Sequence, residues 1–279
     1  MSRARKRFGQ HWLRSESVLA QIIAAAELHA GDRVLEIGPG RGALTQPLLA
    51  SGAEVVAVEL DRDLCGQLQR QFGGERFQLI EGDILRLDLA PLECNKVVAN
   101  IPYNITGPLL GHLLGSIARP RRPAFERLVL LVQKEIGDRL MAVPGSKAYG
   151  ALSVRVQFLA RCEKVCAVPP RAFQPPPKVD SVVICLQPHA TLPKVRSPQW
   201  LETLLKQGFA TRRKMLANAL KSLAEPGQVR QALLQLGRDA NSRAEALSLQ
   251  DWLTLSEVLQ QRQQNQQDPQ PPTGRSASG

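Results

Sequence analysis

The segment Asn100-Ile101-Pro102-Tyr103 puts a primary amide, a rigid turn and an aromatic ring on consecutive residues. Such a set suits chemistry at the exocyclic amine of a nucleobase. The lone pair of an adenine amine is delocalised into the ring. Two acceptors on its hydrogens, the Asn100 side-chain oxygen and a main-chain carbonyl held by Pro102, would localise that lone pair and aim it. Tyr103 would then stack on the base. Taken alone, the segment reads equally well as a turn with Asn and Pro as breakers.

Its neighbours in the sequence change that weight. Val34-Leu-Glu-Ile-Gly-Pro-Gly-Arg-Gly42 is a strand pattern running into a Gly-rich turn, which brings a ligand close to bare backbone. Gly38, Gly40 and Ala43 satisfy a dinucleotide-binding pattern that is shared by NAD enzymes, flavoproteins and methyltransferases. Glu59 ends the next strand pattern, where its carboxylate can accept both hydroxyls of a ribose, or can simply cap the following helix. Glu81-Gly-Asp83 ends the third, placing Asp83 where an adenine amine could be held. Pro39 removes one N–H from the turn, so the turn suits a phosphate-free ligand bearing a carboxylate better than a pyrophosphate. S-adenosylmethionine has that chemistry: ribose, adenine, an amino-acid head and no phosphate.

These residues need a sheet edge to bring them together, and the apolar patterning predicts one. β-branched runs at 34–37, 55–58, 77–80, 97–99 and 128–132 alternate with helical spacing at 43–50, 62–72 and 108–117, the signature of an α/β protein with a parallel sheet covered by helices. Runs at 162–168 and 179–186 flank a Pro-rich loop and predict a closing antiparallel pair. Leu152, Val154, Val156 and Phe158 alternate with polar residues, so periodicity alone predicts a strand there. After Pro188, Pro193 and Pro198 the chain carries Leu at helical spacing and no β-rich run, which predicts a small all-helical domain. The expected division is 1–188 for the cofactor-binding catalytic domain, 197–262 for the helical domain and 263–279 for a disordered Gln- and Pro-rich tail. Arg3, Arg5, Lys6 and Arg7 precede an apolar run at 18–26, but Gln21 interrupts it and Ser15, Glu16 and Ser17 stand before it, so it reads as a capped amphipathic helix rather than a signal core.

With 43% hydrophobic and 22% charged residues, the 279-residue chain has the composition of a globular protein, and its +11 formal charge points to a polyanionic partner, nucleic acid ahead of a membrane surface. Five cysteines, an odd number set mostly in apolar runs, suggest reduced thiols and a cytoplasmic protein. Cys162 and Cys166 lack a second Cys or His pair, so no metal site is expected.

At this point the motifs converge. Arg5-Lys-Arg-Phe-Gly-Gln10, Glu36-Ile-Gly-Pro-Gly40, Glu59-Leu-Asp-Arg-Asp63, Asn100 to Asn104, Gln133-Lys-Glu135, Ser146-Lys-Ala-Tyr-Gly150, Phe173 to Ser181 and Phe209-Ala-Thr-Arg-Arg-Lys214 resemble the KsgA/RsmA family of bacterial small-subunit ribosomal RNA adenine dimethyltransferases. The resemblance implies a Rossmann-like methyltransferase sheet with helices on both faces and a helical C-terminal domain, with 152–159 helical despite its alternation. It implies S-adenosylmethionine as cofactor and double methylation of two adjacent adenosines in the 3′-terminal hairpin of the small-subunit RNA. It places cofactor contacts at His11, Leu13, Gly38, Glu59, Asp83 and Asn100, and the reacting site at Asn100, Ile101, Pro102 and Tyr103. Phe173 matches the residue expected to hold the target base from the face opposite Tyr103. His11 stands where the family usually has Asn, and Ile101 where it usually has Leu.

Basic residues at Arg5, Lys6, Arg7, Lys147, Arg212, Arg213 and Lys214, with a further cluster at 119–127, are expected to track RNA phosphates. The expected partner is an immature small ribosomal subunit, met by a monomer. Competing readings are a large-subunit methyltransferase of the antibiotic-resistance type, an assembly factor acting mainly by binding, and an NAD-dependent oxidoreductase.

Overall fold

The computed structural model describes residues 11–123 and 125–267. Seven strands form one sheet in the order β4-β3-β2-β5-β6-β9-β7: β2 (Arg33–Ile37), β3 (Glu54–Glu59), β4 (Phe77–Glu81), β5 (Lys96–Asn100), β6 (Arg127–Gln133), β7 (Ala160–Val168) and β9 (Ser181–Pro188). Strands β2 to β6 pair in parallel, and β9 is antiparallel to both β6 and β7. The expected closing pair is therefore present, with β9 inside and β7 at the edge. A separate two-stranded ribbon joins β1 (Trp12–Leu13) to β8 (Phe173–Gln174). No sequence period announces such short strands.

Burial explains the run-like strand patterns. Val34, Leu35, Val97, Val98, Leu128, Leu130 and Leu131 are all at most 1% exposed, because helices cover both faces of a parallel sheet. Those helices are α1 (Glu16–Ala26), α2 (Thr45–Ala50), α3 (Arg62–Phe72), α4 (Thr106–Leu114), α5 (Lys134–Leu140) and α6 (Ala151–Leu159). The apolar run after Ser15 is indeed a helix, with Val18, Ile22 and Ala26 buried. α4 is shorter than its spacing suggested: Thr106 is its first residue, and it stops at Gly115, whose φ is +79°.

Alternation alone predicts a strand at 152–158, but the segment is α6, helical as the family resemblance implies. Its polar positions serve a helical face: Ser153 Oγ donates to the Arg139 carbonyl (2.6 Å) and Gln157 Nε2 to the Ala142 carbonyl (2.9 Å), four residues apart. A helix buried around most of its girth has no polar stripe from which to read a period.

The described chain separates into two compact units, one comprising 11–143 and 152–192 and the other 144–151 with 193–267. The second contains α7 (Pro198–Gly208), α8 (Leu216–Ala219), α9 (Pro226–Gln235) and α10 (Leu249–Gln267). Trp252, fully buried, packs so close to Gly208 that a Cβ there would lie 2.6 Å from the indole. Tyr149, also fully buried, meets the Phe209 ring edge-on. α10 runs past the boundary expected at 262, since Gln is a competent helix former. The remainder of the expected tail, 268–279, lies outside the described residues, as do Arg5, Lys6 and Arg7.

None of the cysteines forms a disulfide. Burial pushes the thiols of Cys65 and Cys94 up to about 11 and that of Cys162 to about 12, so these three carry little reactive thiolate. Among the described residues, no helix is long and apolar enough to cross a membrane.

Candidate active site

The C-terminal ends of β2 to β5 open into a cavity of about 360 Å³, lined among others by His11, Gly38, Glu59, Asp83, Asn100 and Tyr103. Parallel strands all release their loops at one sheet edge, which is why residues spread over almost a hundred positions meet here. Gly38 N–H donates to the Val58 carbonyl (2.9 Å), carrying the β2–β3 ladder into the turn. Gly38 and Gly40 then take φ of +65° and +59°, conformations that disfavour a side chain. At Gly40 space is tight as well, since a Cβ would lie 3.1 Å from the Trp12 indole, which would have to give by a few tenths of an ångström.

Glu59 is 7% exposed, and both its oxygens accept backbone N–H groups, Gly40 at 3.1 Å and Asp61 at 2.9 Å. Burial raises its pKa, and those N–H groups partly offset the rise. A carboxylate offers about four acceptor sites, so Glu59 can still take hydroxyl donors beside these N–H groups. Asp83 accepts from Leu85 N–H (3.0 Å) and stands 3.6 Å from the exposed Arg86 guanidinium, while also reaching the cavity.

Asn100 ends β5. Its Nδ2 donates to the His11 carbonyl at 3.0 Å, which turns Oδ1 into the free acceptor of the amide. Ile101 N–H donates to Leu131 (3.1 Å), prolonging the sheet by one residue, and the Ile101 side chain is buried. Pro102 at φ −56° and ψ 128° then turns the chain into a short helical turn that starts at Tyr103. The Tyr103 ring stacks, offset, on His11 with centroids 5.8 Å apart and planes at 24°. Burial raises the Tyr103 pKa, so the ring remains a neutral phenol in the physiological range. The His11 imidazole lies 2.8 Å from the Pro175 carbonyl through Nδ1. A carbonyl can only accept, so Nδ1 carries the proton.

A second cavity of about 200 Å³ shares Trp12, Gly38, Gly40 and Asn100 with the first and adds Leu13, Arg14, Glu36 and Arg41. Leu13, 4% exposed, borders this cavity rather than the larger one. Glu36 is fully buried: Oε2 accepts the Thr45 hydroxyl (2.7 Å) and Oε1 has no partner among the described residues. Burial pushes its carboxyl up to about 8. Trp12 carries the Arg41 guanidinium 3.7 Å from its ring centroid. Sequence reasoning gives neither Glu36, although it opens one of the family motifs, nor Trp12 a role in the site. The signal for Glu36 was one acid inside an otherwise apolar strand.

Phe173 requires a correction. It is 3% exposed and packs into the core with Leu13, Val168 and Ala172, and it does not line the larger cavity. Register is the cause. Phe173 pairs with Leu13 across the β1–β8 ribbon and shares its inward face, while Trp12 and Gln174 take the other. It is not an exposed stacking face in this structure.

The basic positions sort themselves. Lys147, Arg212, Arg213 and Lys214 are all exposed in the helical unit, and Arg212 donates to the Lys147 carbonyl (2.6 Å), bringing two separate segments together. The cluster at 119–127 breaks up: Arg119 and Arg122 are exposed, Arg121 lies over Phe125 at 4.8 Å, and Arg127 turns inward to the Ala25 carbonyl and Glu27.

The family model described as ribosomal RNA adenine dimethylase matches residues 1–261. A protein of Thermosynechococcus vestitus named ribosomal RNA small subunit methyltransferase A is 91% identical over 95% of this chain and 100% of its own length. One of the same name from Acaryochloris marina is 55% identical, covering 93% of this chain and 98% of its own. Among solved structures, a dimethyladenosine transferase from Plasmodium falciparum superposes with a TM-score of 0.76 at 27% identity, covering 91% of this chain and 98% of that one. A 23S rRNA methyltransferase, ErmE, gives 0.72 at 27% identity, covering 89% and 99%.

Proposed function

Because the chain belongs to the ribosomal RNA adenine dimethylase family, we propose that it transfers methyl groups from S-adenosylmethionine to adenine amines of small-subunit ribosomal RNA, dimethylating two adjacent adenosines of the 3′-terminal hairpin. The observation that carries this reading is that Asn100 lines the cavity with one amide N–H committed to the His11 carbonyl, which leaves its oxygen as an acceptor. When bound, S-adenosylmethionine supplies an electrophilic sulfonium methyl. Glu59 takes the ribose hydroxyls and Asp83 the adenine amine. The residues of the second cavity fit an amino-acid head, since the unpartnered Oε1 of Glu36 is a buried acceptor suited to an ammonium and Arg14 and Arg41 are cations suited to a carboxylate.

The target base must leave its stack to reach this edge, a flip into the slot beside Tyr103. There Asn100 Oδ1 and the Ile101 carbonyl accept the two amine hydrogens and localise the lone pair. These two acceptors would aim the amine nitrogen at the methyl group that S-adenosylmethionine supplies when bound, and the amine proton released on transfer would pass to water. His11 and Trp12 line the same cavity as Glu59. The exposed cations of the helical unit, Lys147, Arg212, Arg213 and Lys214, supply phosphate contacts, and the partner is RNA within an immature subunit, engaged by a monomer.

Methyl transfer from labelled cofactor to small subunits isolated without this modification, with the modified bases mapped, tests the reading. Dimethyladenosine at two adjacent positions is expected. Labelling of large-subunit RNA instead, or of neither, would overturn it.

A further inference from the structure

Ser181 opens β9, is 1% exposed, and its hydroxyl lies 2.6 Å from the Tyr103 hydroxyl. A buried hydroxyl without a partner is costly, so each of these groups satisfies the other. The two ends of the bond differ in rigidity. Ser181 pairs with Gln133 on one side and Val168 on the other, so its backbone is fixed by ladders on both edges. Tyr103 sits in a short turn after Pro102, and its ring is held at two places, the offset stack on His11 and the hydroxyl of Ser181.

The chemistry of a double methylation makes that anchoring unequal in importance between the two steps. In the first transfer the amine offers two N–H groups, one each for Asn100 Oδ1 and the Ile101 carbonyl. After it, a single N–H remains, one of the two grips is lost, and the orientation of the base rests more heavily on stacking. We propose that Ser181 is a positioning residue which fixes the Tyr103 ring plane, and that the second methyl transfer depends on it more than the first. The inference rests on the functional reading above and adds to it a determinant of the product ratio.

Single-turnover methylation of unmodified small subunits, with mono- and dimethyladenosine counted over time by mass spectrometry, tests this in Ser181→Ala, Ser181→Thr, Tyr103→Phe and the Ser181→Ala/Tyr103→Phe double variant. One neutral hydrogen bond corresponds to about fivefold in rate. Ser181→Ala is expected to slow the second transfer by at least that factor and the first by less, so monomethyladenosine accumulates, while cofactor affinity stays within about twofold by the same reasoning. Tyr103→Phe should give the same ratio with Ser181 intact, the double variant should add nothing, and Ser181→Thr should restore dimethylation. Equal slowing of both transfers, additive effects of the two single substitutions, or a wild-type ratio in Tyr103→Phe would overturn the proposal alone. Should the wild type transfer no methyl group to small subunits, the functional reading falls and the inference with it.

Discussion

Replacing Asn100 with Ala removes the acceptor that the proposed function assigns to the reacting amine. In the structure Nδ2 is held 3.0 Å from the His11 carbonyl, so Oδ1 is oriented before any base arrives. Such a preorganised group matters most as positive charge develops on the amine. Loss of one group of this kind costs about 2.7 to 4 kcal/mol in the transition state, on the order of a hundred- to a thousandfold in rate. The broken tie to His11 adds about 1 kcal/mol, which falls on the folded state rather than on the chemical step. Single-turnover transfer at saturating cofactor isolates the chemical step, and sedimentation with small subunits reports binding, which phosphate contacts elsewhere should preserve. Asn100→Asp sharpens the result: it keeps oxygens but loses the N–H, setting a carboxylate against the His11 carbonyl, so it should not rescue the rate. A variant Asn100→Ala that binds subunits and transfers methyl groups within about threefold of wild type would refute the assignment, because the group would then stabilise the transition state no more than the ground state.

Glu59→Ala should weaken S-adenosylmethionine binding in calorimetry by about 1.5 to 3 kcal/mol, the range for hydrogen bonds to a charged group, and unchanged affinity would remove the ribose assignment. Arg213→Glu combined with Lys214→Glu should lower subunit affinity and flatten its salt dependence while leaving cofactor affinity intact; an identical salt slope would make the patch a solvated face. Arg212 is left in place there because it also holds the Lys147 loop. Glu36, with its carboxyl raised from an ordinary 4.5 to about 8, contributes stability that is fully present below about 4.5 and is lost as pH rises through about 8. Thermal melts of Glu36→Gln, which keeps an acceptor for Thr45, should gain on wild type between pH 5 and pH 9, and a constant difference across that range would contradict the burial argument.

Legibility in the sequence followed the physics of each feature. The strands covered on both faces stand out as apolar runs, and their ends locate Gly38, Glu59, Asp83 and Asn100 at one edge without any structure. α6 was legible through the family motifs and not through its periodicity, because a nearly fully buried helix loses its polar stripe and Val154, Val156 and Phe158 happen to alternate. Phe173 was misplaced for a related reason. A motif names a residue type, while the face it presents is fixed by pairing with Leu13 across a ribbon too short to leave a period. Ser181 and Glu36 stand at the ends of motifs that carry the resemblance, but the Tyr103 contact of the one and the complete burial of the other are not readable from spacing.

The return of 144–151 to the helical unit has a practical side. Tyr149 gains its burial beside Phe209, and the Lys147 carbonyl its donor from Arg212, so both depend on chain that is synthesised much later. While the ribosome is making β7 and β9, Phe209 and Arg212 have not yet been added to the chain, so Tyr149 and the Lys147 carbonyl await them. A fragment ending at residue 192 would keep the complete sheet and yet expose an aromatic side chain in mid-chain. The unit that holds the sheet therefore does not come away cleanly with a single stop codon; a clean isolate needs a second edit that replaces the loop with a short polar turn between Val143 and Leu152.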